Sequence, residues 1–191
     1  MTRPDLTVII PSKGRLSLSE TLESIPREKW IEILVVADGM RAHRKVEPIV
    51  EQAKRGRQLR LYRCGPSAVG HPQRTYGMGK ARGRFLSFMD DDDVYTPQAW
   101  AAFRGAIHYT PETLWIFRMA YEGTGTILWS DRVVRHGNVG SPMVLVPNNP
   151  DGLGVWERRR SGDFDFIRDT AAKHPLLHWS ETIVAEIRVR D

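Results

Sequence analysis

Four consecutive aspartates, Asp90–Asp93, follow directly on the apolar run "RFLSFM". Like charges at adjacent positions repel, and the exit of a buried strand gives them no structural reason to gather. A cation is the simplest partner. Mg2+ and Mn2+ take oxygen ligands, commonly one or two carboxylates completed by phosphates and waters. A dication held there can bridge two phosphates and stabilise charge on a departing nucleotide. Alternation along the strand sends neighbouring side chains to opposite faces, so one or two of the four should face the ligand. The pattern points to Asp92 as the direct metal ligand, places Asp90 and Asp91 near a nucleotide, and leaves Asp93 to favour the dipole of the following helix.

These acids need a scaffold. "LTVIIP" (6–11) reads as a buried strand, "SKGR" as a polar turn, and "LSLSETLESI" as a helix by the spacing of its apolar residues. "WIEILVVADG" (30–39) is a second strand ending on Asp38, "AHRKVEPIVEQAKRG" a helix despite Pro48, and "LRLYR" a third strand. "HPQRTYGMGKARG" predicts a helix reaching Gly83, "RFLSFM" the fourth strand, and Thr96-Pro97 the cap and start of a helix over 97–109. Four strand-helix alternations predict a parallel sheet with crossover helices, and ligands of such sheets bind beyond the carboxyl ends of the strands. The turn holding Pro11, Ser12, Lys13 and Arg15 should therefore meet Asp38 and the aspartate run on one rim. After residue 110, "TLWIFRMAYEG" and "GTILWSDRVVRHG" predict antiparallel strands, "SPMVLVPNN" a further strand, "GDFDFIRDTAAKH" a helix and "ETIVAEIRV" a closing strand.

Several of these segments carry a family resemblance. "RTYGMGKARGRFLSFMDDDD" resembles the signature of family 2 glycosyltransferases, with Arg74, Gly77, Ala81, Gly83, Phe85, Phe88 and Asp90–Asp92 in register. "TVIIPSKGR" is similar to that family's first strand and nucleotide-contacting turn. "ILVVADG" is similar to its second strand, where Asp38 matches the acid that contacts the nucleoside. The resemblance implies an α/β GT-A fold: a Rossmann-type, mostly parallel sheet with flanking helices and an antiparallel C-terminal part. It also implies a nucleoside diphosphate sugar donor, most often a UDP-sugar, with Mn2+ or Mg2+ as cofactor. Two positions depart from the pattern: Ala37 stands where an acid is common, and Lys13-Gly14 replaces the usual aromatic or Asn.

Displacement of a diphosphate by an acceptor hydroxyl in one step requires a general base opposite the leaving group. The segment 161–170 resembles the family's Glu-Asp motif, with Gly162 in place of the Glu and Asp163 at the acid/base position. Asp163 is the candidate base, with a helix N-cap as its alternative or additional role; Asp165 is expected to orient the acceptor or a nearby arginine. The resemblance further suggests His178, ahead of His174, as a histidine completing the metal shell. It also places Asn148 and Asn149 beside the donor sugar and acceptor, although both are equally good turn residues. Trp156 is either a stacking platform for a sugar or base, or a core residue. The resemblance favours inversion, consistent with a single base and no second nucleophile.

Length and composition bound the rest. The 191 residues are expected to form one catalytic domain, residues 1–110 binding the nucleotide sugar and residues 111–191 facing the acceptor. The apolar runs are too short to cross a bilayer or to act as a secretion signal, which predicts a cytoplasmic protein and argues against processive polysaccharide synthesis. The lone Cys64 excludes an internal disulfide and is expected to be a small buried residue. A net charge of +5 and a pI near 9.6, with arginines gathered in "AKRGRQLRLYR", "RTYGMGKARGR" and "ERRR", favour a polyanionic partner or the donor diphosphate. The same residues also suit solvated helix faces. The resemblance implies an acceptor that is a carbohydrate or a modified base in DNA, the latter a DNA-modification role that the arginine clusters keep open; the oligomeric state is not encoded. A nucleotidyltransferase acting on a sugar phosphate, and a non-catalytic nucleic-acid or carbohydrate-binding module, are the competing classes.

Overall fold

The first apolar run forms strand β1 (Leu6–Ser12), buried at every residue, as expected of a β-branched segment enclosed between two layers. In the computed structural model, which describes residues 3–66, 70–109 and 112–188, helix α1 (Leu18–Glu23) follows it. Strand β2 (Ile31–Asp38), helix α2 (Gly39–Ala53), strand β3 (Gln58–Cys64), helix α3 (His71–Met78) and strand β4 (Phe85–Phe88) come next. Strands β1 to β4 are mutually parallel in the order β3-β2-β1-β4, with Ile9 opposite both Leu34 and Phe88. Their carboxyl ends therefore share one rim. Right-handed crossovers that run first outward to β3 and then back to β4 put α1 and α2 on one face of the sheet and α3 on the other.

The second half continues the same sheet. The two-residue strand β5 (Val94–Tyr95) precedes helix α4 (Ala99–Tyr109), strand β6 (Leu114–Tyr121), the short β7 (Ile127–Leu128) and strand β8 (Val144–Pro147). Helix α5 (Gly162–Lys173) and strand β9 (Leu177–Ile187) close the described chain. The order continues as β4-β8-β6-β9-β5, with β8 antiparallel to both β4 and β6, and β9 parallel to β6. None of the described helices is long and apolar enough to cross a membrane.

Four boundaries differ from the periodicity reading. Helix α3 stops at Met78, because the following residues must bring Gly83 against β1: its N–H donates to the Thr7 hydroxyl at 2.8 Å, and a Cβ there would stand 2.4 Å from the Thr7 nitrogen. The aspartate run leads into β5, not directly into a helix, so α4 begins at Ala99. Only Ile127 and Leu128 of the expected strand pair with β6. Beyond Trp129 the chain is held by the buried Asn138 side chain, which donates to the carbonyls of Asp131 and Val133 at 2.9 and 2.7 Å and accepts from the Ser130 N–H at 2.9 Å. Those bonds replace a ladder. The closing strand starts earlier than expected, at Leu177, and Val189 at its expected end lies outside the described residues.

One buried charge locks the base of the parallel sheet. Glu32, fully buried on β2, accepts from the Thr7 hydroxyl (2.7 Å), the Arg82 amide (2.8 Å) and the Arg82 Nε (2.6 Å), and pairs with Arg60. Burial alone would raise its pKa, but these donors overcome it and hold the carboxyl below the usual glutamate value. A depressed folded pKa gives stability that is present above the unfolded value and lost as the pH falls through the carboxylate range. Both arginines remain partly solvated once unpaired, so Glu32→Ala is expected to cost ~2–3 kcal/mol at pH 7. Urea unfolding checks this, and the gap from wild type should narrow at pH 4.

Candidate active site

The turn after β1 is shaped by Asp91. Its carboxylate, almost fully buried, accepts from the Ser12 hydroxyl at 2.7 Å, the Lys13 N–H at 3.0 Å and the Arg15 guanidinium at 2.6 Å. The Ser17 hydroxyl donates to its backbone carbonyl at 2.8 Å. Gly14 completes the turn at φ 86°, close over Ala42. Asp91 is thus committed to organising the 12–17 turn, a role not readable from the run of four acids.

The other three aspartates form the charged cluster. One carboxylate oxygen each from Asp90, Asp92 and Asp93 lie within 4.8 Å of one another. Asp90 is paired with the buried Arg74, Asp92 stands 3.2 Å from Arg15, and Asp93 accepts from the Arg188 N–H at 2.9 Å. Burial pushes the Asp92 carboxyl up, against the opposing pull of Arg15, and Asp91 and Asp90 push it further. Burial likewise raises Asp93 to about 7, opposed by the Arg188 amide and reinforced by Asp90 and Asp92. Asp93 does not serve the dipole of α4, since it lies ahead of β5 and faces the end of β9. Three converging carboxylate oxygens, with Asp92 and Asp93 desolvated, are a donor set matched to a hard dication.

Beside this cluster a cavity of about 150 Å³ opens on the carboxyl rim, lined by Pro11, Ser12, Lys13, Arg15, Asp38, Gly70, Gln73, Arg74 and Asp90–Asp92. The rim residues read from the sequence are therefore brought together. Two further lining residues were not. Gln73 donates to the Asp38 carboxylate at 3.0 Å and to the Gly65 carbonyl at 3.1 Å, fixing the acid at the end of β2. Gly70 has φ 73°, and a Cβ there would stand 3.3 Å from the Pro11 side chain. Gln73 is adjacent to Arg74 in the recognisable segment, but a glutamine carries no periodic or charge signal.

Asp163 lies in the first turn of α5, with Ser161 at the N-cap position, so it is not the cap; its carboxylate accepts from the Phe164 N–H at 2.8 Å. Its charge reaches two other groups, His71 and Tyr121. His71 is buried, held neutral-leaning by burial and by Arg74, with Asp163 pulling the other way. Tyr121, at the end of β6, has its hydroxyl pKa raised by burial and then by Asp93 and Asp163. Tyr121 thus lies in the field of both Asp93 and Asp163. Gly162 is dictated by packing: a Cβ there would meet the Glu157 carbonyl at 2.2 Å and the His71 ring at 2.8 Å. No glutamate fits that position while His71 fills the space.

Asp165 is buried and clamped by Arg159 through two bonds, at 2.7 and 2.6 Å, with Arg168 at 3.2 Å. It orients an arginine. Trp156 is a core residue: only 4% exposed, it stacks on Phe166 at 4.3 Å, with His71 at 5.3 Å and the Arg74 guanidinium 5.0 Å from its ring. It supports the Arg74–Asp90 pair from below and offers no open face for a sugar.

The remaining candidates stand at the other end of the sheet. Because β8 runs antiparallel to β4, Pro147 lies opposite Phe85, and the Asn148 amide donates to the Gly83 carbonyl at 2.8 Å. Asn149 accepts from the Asp151 N–H, and His174 lines the same far groove. His178 pairs with Trp115 near the start of β6, their rings 4.7 Å apart. The expectation that Asn148 and Asn149 touch the donor sugar and that His178 or His174 completes a metal shell is therefore corrected: the antiparallel return of β8 and the parallel entry of β9 carry all four to the amino rim of β4.

Comparison with known proteins agrees with the fold. A family model described as glycosyl transferase family 2 matches residues 7–165. Residues 1–349 of S. aureus TarS, solved in complex with UDP-GlcNAc, superpose with a TM-score of 0.82 at 16% identity, covering 98% of this chain and 59% of that one. The mannosyltransferase PcManGT from Pyrobaculum calidifontis, in complex with GDP-Man and Mn2+, superposes with a TM-score of 0.67 at 13% identity, covering 97% and 57%. The chain thus spans under two thirds of the length of these structures. No curated protein matches it by sequence.

Proposed function

The chain belongs to glycosyl transferase family 2, with the GT-A fold, and on that premise we propose that it transfers a sugar from a nucleoside diphosphate, first a UDP-sugar, to an acceptor hydroxyl with inversion. The observation that carries this reading is the rim cavity in which the 11–15 turn, Asp38, Arg74 and Asp90–Asp92 meet. Asp38, steadied by Gln73, meets the nucleoside, and Arg74 and the turn meet the diphosphate. The oxygens of Asp92, Asp90 and Asp93 would hold Mn2+ or Mg2+. When bound, the ion supplies Lewis-acid stabilisation of charge on the leaving diphosphate. Asp163 accepts the proton of the attacking hydroxyl, and Asp165 keeps Arg159 at the edge of the acceptor side. The acceptor hydroxyl belongs to a carbohydrate or to a modified base in DNA. The nucleotide sugars carried by TarS and PcManGT, and the Mn2+ of the latter, support the donor and cofactor classes.

A thermal-shift panel of UDP, GDP and ADP with and without Mn2+ tests the donor side. At a hundredfold excess over Kd the bound state gains ~2.7 kcal/mol, which for a chain of this size raises Tm by roughly 5–10 °C. UDP with Mn2+ is expected to give the largest rise. No shift with any nucleotide in the presence of Mn2+ overturns the reading, and release of pyrophosphate from UTP and a sugar phosphate would replace it with nucleotidyl transfer.

A further inference from the structure

The positive charge of this protein is segregated. Residues 39–82 carry eleven Lys and Arg against two Asp and Glu, a formal excess of +9, whereas the other 147 residues carry 17 against 21, or −4. In sequence these cations fall on either side of a ten-residue gap between Arg63 and Arg74; Arg74 is buried in the rim cavity and Arg60 and Arg82 pair with Glu32, but the fold brings the exposed ones to one edge. Strand β3 ends the sheet, with its outer side unpaired among the described residues. Alternation sends Arg63 to the α2 face, where its guanidinium reaches Met40, and Tyr62 to the α3 face, where its ring meets Tyr76 edge-on at 5.8 Å. Exposed Arg41, Arg44, Lys54 and Arg55 flank the strand on the first face, and exposed Lys80 and Arg82 on the second. The cations alternate with aromatic rings: Arg60 lies 5.5 Å from the Tyr62 ring and Lys80 5.5 Å from Tyr76.

We infer that this edge is a binding surface for single-stranded nucleic acid. Clustered cations neutralise backbone phosphates, and neighbouring aromatic rings give bases a stacking surface. The distribution favours a flexible polyanion over a membrane. The charge wraps both faces of an edge strand, whereas a bilayer meets one plane. Among the described residues, Met40 and Tyr76 are the exposed large apolar side chains of this flank, too few to insert among lipids. The carboxyl end of β3 pairs Cys64 with Asp38, so a strand following the edge arrives at the mouth of the rim cavity. The binding itself requires neither donor nor transfer, and it stands or falls separately from the proposed reaction.

The test is anisotropy of a labelled oligothymidine of about 20 nucleotides, without nucleotide sugar, from 50 to 200 mM salt. Arg55→Gln/Arg63→Gln/Lys80→Gln changes three exposed residues, with Arg132→Gln/Arg158→Gln/Arg160→Gln as a charge-matched control on the other half. The edge variant is expected to lose more than tenfold in affinity and to flatten the log–log salt slope by about 2, since each lost phosphate contact removes ~0.7. The control should change affinity less than threefold, and UDP with Mn2+ should stabilise both variants like wild type. Thermal melts establish that both are folded, and restoring charge with Arg63→Lys and Lys80→Arg in place of glutamine should recover binding. Absence of binding at 50 mM salt, equal losses in the two triple variants, or tighter binding to vesicles containing phosphatidylserine than to the oligonucleotide each overturns the inference.

Discussion

Asp163→Asn is expected to lower kcat by about 100- to 10,000-fold, the range over which a positioned general base contributes, while KM for the donor and the melting temperature change little. The substitution keeps the shape and leaves an amide oxygen that can accept the Phe164 N–H, as the carboxylate does at 2.8 Å. Stability should therefore be nearly constant, apart from a few tenths of a kcal/mol lost from a negative charge in the first turn of a helix. What disappears is the capacity to take a proton. The measurement is steady-state release of nucleoside diphosphate with an accepted hydroxyl substrate, alongside the nucleotide thermal shift on the same preparation. Retained kcat with unchanged nucleotide binding would remove Asp163 from the chemistry and reduce it to a helix-start acid. The nearby Asp165 provides the contrast: Asp165→Asn breaks a buried clamp on Arg159 and should lower stability as well as rate.

The donor side was legible because local sequence and topology coincide there. Each parallel strand ends on its own polar residues, and parallel pairing alone puts Ser12, Asp38 and Asp90 on one rim. The far half did not have that property. Asn148 follows a strand that runs antiparallel to β4, and nothing in "SPMVLVPNN" states its direction, so the resemblance alone carried its placement beside the donor sugar. His178 failed for a related reason: β9 begins several residues before its apolar alternation does, and enters at the end remote from the acids. Trp156 could be read either as a platform or as core, and contacts with Phe166, Phe88 and His71 decided it. Gly162 was visible as a departure from the family motif, but its cause, the His71 ring packed against it, comes from a residue ninety-one positions earlier.

Asp92→Ala is expected to abolish the manganese-dependent part of nucleotide stabilisation and to lower transfer activity by roughly a thousandfold, the equivalent of the several kcal/mol that a bound dication contributes to charge stabilisation. The pH dependence separates this from general damage. Asp92 and Asp93 both have folded pKa values above those of an unfolded aspartate, Asp93 at about 7. A carboxyl that holds its proton more tightly when folded stabilises the protein at low pH, and that contribution is lost as the pH rises from the unfolded value through the folded one. Without metal, wild type should therefore lose stability between pH 5 and 7.5. Mn2+ competes with those protons, so its Tm increment should grow over the same interval. In Asp92→Ala, Arg15 retains its bond to Asp91 at 2.6 Å and one repelling charge is gone. The metal-free variant should consequently melt at or above wild type at pH 8, with a shallower pH slope and no increment from Mn2+. A variant that melts lower than wild type at pH 8 yet still gains stability from Mn2+ would move the ion away from Asp92, and leave the cluster's mutual repulsion without the partner assigned to it.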